Sequence, residues 1–472
     1  MRKQVVAVFL VLSLVFGLVA CSQPGGNLQK TETSTPAAAE ESKAGEAGES
    51  KEAETPAESK EAESKETESQ EAAPSADAEK QGEEPKAEGD YHIGIVTGTV
   101  AQSEDEKRAA DQAVADYGDA TAGGKIVTDV YPDSFMAEQE TTISKIVAMA
   151  DDPKMKAIIV NQGVPGTSAA FKQVRAKNPD IILICCNSQE DTAMIEDAAD
   201  FALDVDNVSR GYWIIAAAQK MGAKKFAHIS FPRHMSIELL ALRRAIMVEA
   251  CKELGVEFIS LTAPDPTSDI GIPGAQQYVA ENIGPWIEKY GKDTAFFCTN
   301  DAHTEPLLRG IAQGGAIFVE QDLPSPIMGY PGAFSVNLKK EAGDWPAINK
   351  KVEEAVVKAG GKGRMGAWAF SFGYTSTIAC VDRVVEIMAN GGKIDDIPAM
   401  KAALEKRTPG AKWMINNYVD RASGETKANH ALIAQDTYVY GQGFLGMDKV
   451  TVPEKFLNIN VNDVKVTDDN AD

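Results

Sequence analysis

The sequence predicts an α/β protein of two doubly wound parallel-sheet lobes, set behind a signal peptide and a disordered linker. Three observations predict it. Short runs of β-branched and apolar residues alternate with helix-length segments from Tyr91 onward. The alternation restarts near residue 208. Residues 22–89 carry only one large apolar side chain, Leu28.

The chain starts with Arg2 and Lys3, then an apolar stretch from Val5 that continues with small breaks to Ala20. A positive start, a short apolar core and small residues before a cleavage point make a secretory signal, and the stretch is rather short for a spanning helix. Leu18-Val19-Ala20-Cys21 resembles the bacterial lipobox, which implies cleavage before Cys21 and a diacylglycerol on its sulfur. Two acyl chains suffice for stable anchoring, so the expectation is a lipoprotein held at the extracytoplasmic face of the cell membrane through Cys21.

Residues 22–89 contain 18 acidic residues and 7 lysines, about half of the chain's net charge of −23. Such a segment cannot bury enough apolar surface to offset the entropy of ordering, so it reads as a solvated acidic spacer. The remainder is long enough for two lobes. Its own net charge is −14, which excludes the basic footprint of nucleic-acid binding. Among Cys21, Cys185, Cys186, Cys251, Cys298 and Cys380 there is no C-x-x-C pair, so zinc and redox signatures are missing. Cys185 and Cys186 end the apolar run from Ile181 and would point to opposite faces of a strand as buried free thiols.

The first lobe is expected over 90–207. Strand Tyr91–Gly98 precedes a helix opened by Ser103-Glu104-Asp105-Glu106, which reads as a capping box. Strands follow around Lys125–Tyr131, Lys156–Gln162, Ile181–Cys186 and Phe201–Asp206, separated by helices. The second lobe is expected over 208–365, with strands at Lys225–Ser230, Glu257–Leu261, Thr294–Thr299 and Ala316–Val319, and one more at Ile327–Tyr330. Strand–helix alternation with buried β-branched runs means parallel βαβ units. Residues 366–472 read as a crossover back to the first lobe plus a C-terminal extension. They hold a helix Gly373–Asn390 with a glycine C-cap, a helix Pro398–Arg407 and a strand Leu432–Tyr440.

These features carry a resemblance. Two tandem α/β lobes behind a lipobox and spacer are similar to the type I periplasmic-binding-protein fold. Phe297-Cys298-Thr299-Asn300-Asp301 resembles the strand-end Asn-Asp of its sugar-binding members, and Gly373-Tyr374-Thr375-Ser376-Thr377 resembles the segment that packs back on the first lobe. From residue 90 onward the chain is similar to a family of bacterial lipoproteins, domain of unknown function 3798. The tail after Lys393 departs from the sugar-binding pattern. The resemblance implies ligand contacts for Asn300 and Asp301.

Ligands of open parallel sheets bind beyond the carboxyl ends of the strands. In the first lobe that rule selects Thr97, Thr99, Gln102, Asn161, Gln162, Asn187, Ser188, Asp204 and Asp206. In the second it selects Ser230, Arg233, His234, Asn300, Asp301, His303 and Tyr330. Amides and carboxylates supply directed hydrogen bonds, Arg233 offers a bidentate fork, and Tyr330 and Trp368 offer faces for stacking. Each has a structural rival: strand-end Asn and Asp also cap helices and make turns, and Trp368 also suits a core. Asp301, His303 and Glu305, at i, i+2 and i+4, would share one face only on a strand, whereas a helix is expected to begin there, so no metal site is expected.

No nucleophile elbow, P-loop or dinucleotide fingerprint is visible, and no cofactor is expected. The leading expectation is a solute-binding protein that captures a small polar molecule (sugar-like, nucleoside-like or amino-acid-like) for an ABC-type permease or a sensor. The alternatives are a surface-anchored enzyme on the same fold, which needs a perturbed acid–base pair in the cleft, and a ligand-sensing domain without a transport role.

Overall fold

A computed structural model describes residues 89–469 except Ala422. The signal peptide and lipobox expected over 1–21, and the linker up to residue 88, lie outside the described residues.

The first lobe is built on five parallel strands: β1 (His92–Thr97), β2 (Ile126–Val130), β3 (Met155–Gly163), β4 (Ile182–Ser188) and β5 (Phe201–Val205). The helices between them are α1 (Val100–Tyr117), α2 (Gln139–Met149), α3 (Thr167–Lys177) and α4 (Thr192–Ala198). Helices on both faces require strands apolar on both faces. Accordingly Ile158, Ile159 and Val160 of β3 are fully buried. In β4, Cys185 and Cys186 are buried free thiols that join different apolar clusters, one on each side of the sheet.

The chain passes to the second lobe through α5 (Asn207–Lys220), whose N-terminus is capped by Asp206 accepting from Ser209 N. There β6 (Lys225–Ser230), α6 (Glu238–Leu254), β7 (Glu257–Thr262), α7 (Gly271–Tyr290), β8 (Thr294–Cys298) and α8 (Thr304–Gly314) form a parallel sheet in the order β7-β6-β8. Gly211 of α5 lies so close to α6 that an added Cβ would meet Ile246 at 2.7 Å, so the packing of α5 on α6 requires glycine there. After α9 (Tyr330–Phe334) and α10 (Trp345–Lys358) comes β9 (Gly366–Trp368). Parallel bridges Ala295↔Ile317 and Phe318↔Met365 connect β8 to β9 through the segment 316–319.

From β9 the chain returns to the first lobe as α11 (Phe372–Asn390), α12 (Ile397–Arg407), β10 (Met414–Val419) and β11 (Thr426–Ala434). Helix α11 packs on α1 and β3 and stops at Gly391, whose φ of 75° suits glycine. β11 pairs parallel with β5, and β10 closes the edge antiparallel, giving the order β10-β11-β5-β4-β3-β1-β2. The chain then crosses once more. β12 (Thr437–Val439) and β13 (Gly443–Phe444) extend the sheet at β9, and α13 (Glu454–Leu457) packs Phe456 on Tyr212 with ring centroids 4.8 Å apart. Among the described residues no helix is long and apolar enough to cross a membrane.

Four local expectations differ. Ala316–Val319 is not a strand of its own but joins its neighbours through single bridges at Ile317 and Phe318. Ile327–Tyr330 is not a strand, because Gly329 turns with φ 75° and Tyr330-Pro331 opens α9. Leu432–Tyr440 is not one strand but parts of two strands in different sheets. The chain crosses between the lobes there, and Gln435 Nε2 donates to the Phe370 carbonyl of the neighbouring crossing at 3.1 Å. Helix α1 is capped by Thr99, not Ser103. Ser103 sits at a kink (φ −140°, ψ 52°) with its hydroxyl 3.3 Å from that of Tyr131. The kink turns Asp105 and Glu106 inward, where they are 3% and 1% exposed.

Candidate functional site

The carboxyl ends of the strands in both lobes meet around one cavity of about 40 Å³. A cavity needs roughly 10–15 Å³ per water, and ligand pockets usually exceed about 300 Å³. The lobes therefore stand nearly closed on each other, with room for a few atoms.

Gln102, Gln162, Asn187, Ser188, Asp204, His234, Asn300 and Asp301 all line this cavity. Asn187 takes a left-handed conformation (φ 49°) that asparagine tolerates, turning the end of β4 so that Ser188 and Gln189 also reach the cavity. Gln102 is fixed by donating to the Asp133 carbonyl at 2.8 Å. Asn300 accepts from Ala302 N at 3.0 Å and so caps the turn it stands on. Asp301, one residue on, keeps a shielded Oδ1 with no partner. His234 is held 3.1 Å from Thr299 Oγ1, which is also 2.8 Å from Ser230 Oγ.

The other expected residues are not among the cavity's lining. The Thr97 hydroxyl is buried against Gly98 O, and Thr99 donates to Asp133 at 2.5 Å. Asn161 donates to Ser376 and Thr377 of α11 at 3.0 and 2.9 Å, tying that helix to β3. Asp206 caps α5, and Ser230 stands behind Thr299. His303 Nε2 is 3.0 Å from the Pro264 carbonyl. Tyr330 is fully buried and donates to Gly366 O at 2.6 Å. Trp368 is 1% exposed, edge-on to Trp413 and beneath Arg210, so packing prevails over stacking on a ligand. Arg233 forks onto Asp265 at 2.6 and 3.1 Å and reaches Gln189 of the other lobe at 3.0 Å. It bridges the lobes, with its fork already occupied.

Sequence reasoning missed Phe135, Gln189, Asn207, Ile237, Leu239, Leu240, Thr299, Asp322 and Leu323 of the lining. The signal for Asp322 was its place just past the expected strand Ala316–Val319, where the strand-end rule applies as it does at Asn300. Buried Arg243 ion-pairs with Asp322 and donates to Asn207 Oδ1 at 2.7 Å. Arg210 pairs with Glu320 at 2.8 Å, both side chains 2% exposed.

The lining contains three aspartates and neither lysine nor arginine. Burial, then the proximity of Asp322, Glu106 and Asp105, pushes the Asp301 carboxyl well above the usual carboxylate range. Burial and Asp105 raise Glu106 to about 8. Burial raises Asp105 to about 7 against hydrogen bonds from Ser325 and Ser371. Burial, reinforced by Arg233, keeps His234 far below its ordinary pKa, and burial takes His303 down to about 4. The cavity presents the His234 imidazole, neutral at neutral pH, with amides, hydroxyls and carboxyl groups. That set can hydrogen-bond hydroxyls and amines, and it repels anions. Among the described residues no group of three or more His, Cys, Asp or Glu could hold a metal ion.

Two lobes of parallel sheet, crossings near residues 206, 370 and 435, and a cleft at the carboxyl ends make up the type I periplasmic-binding-protein fold. A family model described as "Protein of unknown function (DUF3798)" matches residues 91–366. Two uncharacterized proteins of Treponema pallidum (strain Nichols) are similar. One is 36% identical over 220 residues, 47% of this chain and 100% of its own; the other is 43% identical over 183 residues, 38% of this chain and 83% of its own. Among solved structures, a candidate transcriptional regulator from Clostridium difficile 630 is 23% identical, with a TM-score of 0.60 over 74% of this chain and 99% of its own. That likeness speaks to the fold alone. A periplasmic solute binding protein of an ABC transporter from Actinobacillus succinogenes 130z, with bound D-allose, is 12% identical with a TM-score of 0.43, over 63% of this chain and 91% of its own.

Proposed function

The chain belongs to the DUF3798 family, and from that premise we propose that it is an extracytoplasmic solute-binding protein, lipid-anchored at Cys21, that captures a small polar molecule between its lobes. One observation carries this reading: polar groups from the strand ends of both lobes surround a single cavity, with Asp301 Oδ1 left unpartnered there. Such a group, shielded from water, favours a ligand that supplies its missing hydrogen bond and rejects one that does not.

Capture proceeds by hinge motion about the three crossings. Opening breaks the Arg233–Gln189 bridge and widens the cavity; closure remakes the bridge and narrows the cavity. The lipid on Cys21 and the acidic spacer over 22–89 hold the lobes outside the membrane, within reach of a permease or a sensor. The test is a thermal-shift screen of the mature chain with sugars, nucleosides and amino acids. A ligand at 100 times its Kd adds about 2.7 kcal/mol to stability. A chain that no small polar solute stabilises overturns the reading.

One observation favours a second reading, a surface enzyme. A general acid needs a carboxyl whose pKa is raised toward the working pH, and Asp301 and Glu106 meet that condition. Turnover of a stabilising solute, followed by mass spectrometry, distinguishes an enzyme from a binding protein.

A further inference from the structure

Two sets stand out among the buried and half-buried acids around the cleft. In the first, each acid has a basic partner. Asp322 pairs with Arg243, Glu320 with Arg210, and Asp265 with Arg233. Asp204 and Glu196 share His430. In the second set, Asp105 and Glu106 of α1 and Asp301 of the opposite lobe pair with no base among the described residues. One oxygen of each (Asp105 Oδ1, Glu106 Oε2 and Asp301 Oδ1) is shielded from water without a hydrogen-bond partner. Asp105 and Glu106 come from the first lobe, and Asp301 senses the charge of both across the cleft. Asp301 also lines the cavity, as does Gln162, whose amide hydrogen-bonds the Glu106 carboxyl.

An unmatched buried carboxylate is strongly unfavourable, and grouping three compounds the cost. Such a cluster has two remedies: it keeps its protons, or it receives a cation. From this geometry we propose that the cleft ligand carries a protonated amine, seated on Asp301 with Glu106 and Asp105 behind it. The inference rests on the cleft-binding reading above and names its ligand class. The amine is the counter-charge that this one set of acids lacks. The lobes bring the three acids together only when closed, so an ammonium group between them favours closure. Anions meet repulsion, and a neutral polyol leaves the cluster without counter-charge. An organic cation is favoured over a metal, since no three metal-ligating side chains among the described residues are arranged to hold an ion.

Amine binding displaces protons from the cluster. Asp301 faces Asp322 (held by Arg243), Glu106 and Asp105. Glu106 faces Asp105, Gln162 and Tyr131. Asp105 faces Glu104, Arg108, Ser325 and Ser371.

The experiment is a thermal-shift titration of the full mature chain with three matched probes, D-glucosamine, D-glucose and D-gluconate, alongside putrescine, spermidine and calcium chloride. We expect an amine probe to raise Tm, D-glucose and D-gluconate to leave it unchanged, and the amine's effect to grow from pH 6 to pH 8. Asp301→Asn and Glu106→Gln each weaken the amine at least tenfold. Their own Tm without probe is equal to or above that of the parent chain, which separates lost binding from lost folding. Stabilisation by D-glucose with no response to amines overturns the amine and leaves solute binding standing. Stabilisation by calcium alone, or an amine effect that survives Asp301→Asn, also overturns it. If no probe and no other polar solute binds, the solute-binding reading falls with it.

Discussion

His430 Nε2 lies 3.0 Å from Asp204 Oδ2, and its Nδ1 lies 2.8 Å from Glu196 Oε1. The ring is fully buried. Asp204 Oδ1 accepts from Ser188 N at 2.9 Å, and Asp204 and Ser188 both line the cleft. His430 belongs to β11, so the C-terminal tail sets the floor of the cleft from behind.

That relationship has a pH signature. Burial alone would lower the pKa of His430, but its hydrogen bonds to Asp204 and Glu196 outweigh burial and raise it to about 9. The unfolded value is about 6.5. The contribution to stability is complete below about 6.5 and is lost as pH rises through about 9. His430→Asn is expected to destabilise by about 3 kcal/mol at pH 6, because it strips a buried charge partner, and by less at pH 10. Urea unfolding of both chains across that range measures the gap; a gap that does not narrow contradicts a charged His430.

Glu106→Gln runs the other way. The folded Glu106 holds its proton up to about 8, while an unfolded glutamate loses it near 4.3. Between these values the unfolded chain binds fewer protons, so the parent chain loses stability as pH rises. The glutamine variant escapes that loss. It is expected to be on the order of 2 kcal/mol more stable at pH 8 and equal to the parent near pH 4, as read by denaturant midpoints.

Arg210→Leu tests the buried pair under the hinge. It leaves Glu320 unpaired in a site where both side chains are 2% exposed, and it also removes the donors to the Gln321 and Asp322 carbonyls at 2.8 and 2.9 Å. Loss of about 3–5 kcal/mol is expected. Adding Glu320→Gln should recover part of it, since the uncompensated charge is then gone.

The five cysteines of the described residues are free and buried. Burial raises the thiol pKa values of Cys251, Cys185 and Cys298, the last to about 12, and the contact with Cys380, followed by burial, raises that of Cys186. Thiolate is the reactive form. A thiol reagent such as dithionitrobenzoate is therefore expected to leave them unmodified in the native chain and to modify all five in 6 M guanidinium. Rapid native labelling contradicts the burial.

Strand periodicity made the sheets legible, and with them the strand-end residues Gln162, Asn187, Ser188, Asn300 and Asp301 that line the cavity. Periodicity says nothing about which neighbour a polar group finds. Asn161 and Gln162 are adjacent, yet Asn161 turns to α11 while Gln162 reaches the cleft. Asp105 and Glu106 looked like first-turn cap residues because the kink at Ser103 has no local sequence signature. His430 was out of reach because its burial depends on β11 pairing with β5, more than 200 residues earlier. Asp322 follows a segment held to the sheet only by the single bridges at Ile317 and Phe318, so strand periodicity marks its place weakly.

The central claim, a solute held between the lobes, is tested most directly by native mass spectrometry of the mature chain beside a variant with a filled cavity, Ser188→Trp. The account predicts a small-molecule adduct on the parent chain that is released on unfolding and missing from Ser188→Trp. A parent chain that stays at its bare mass with sugars, nucleosides, amino acids and amines present, or an adduct that Ser188→Trp retains, contradicts it.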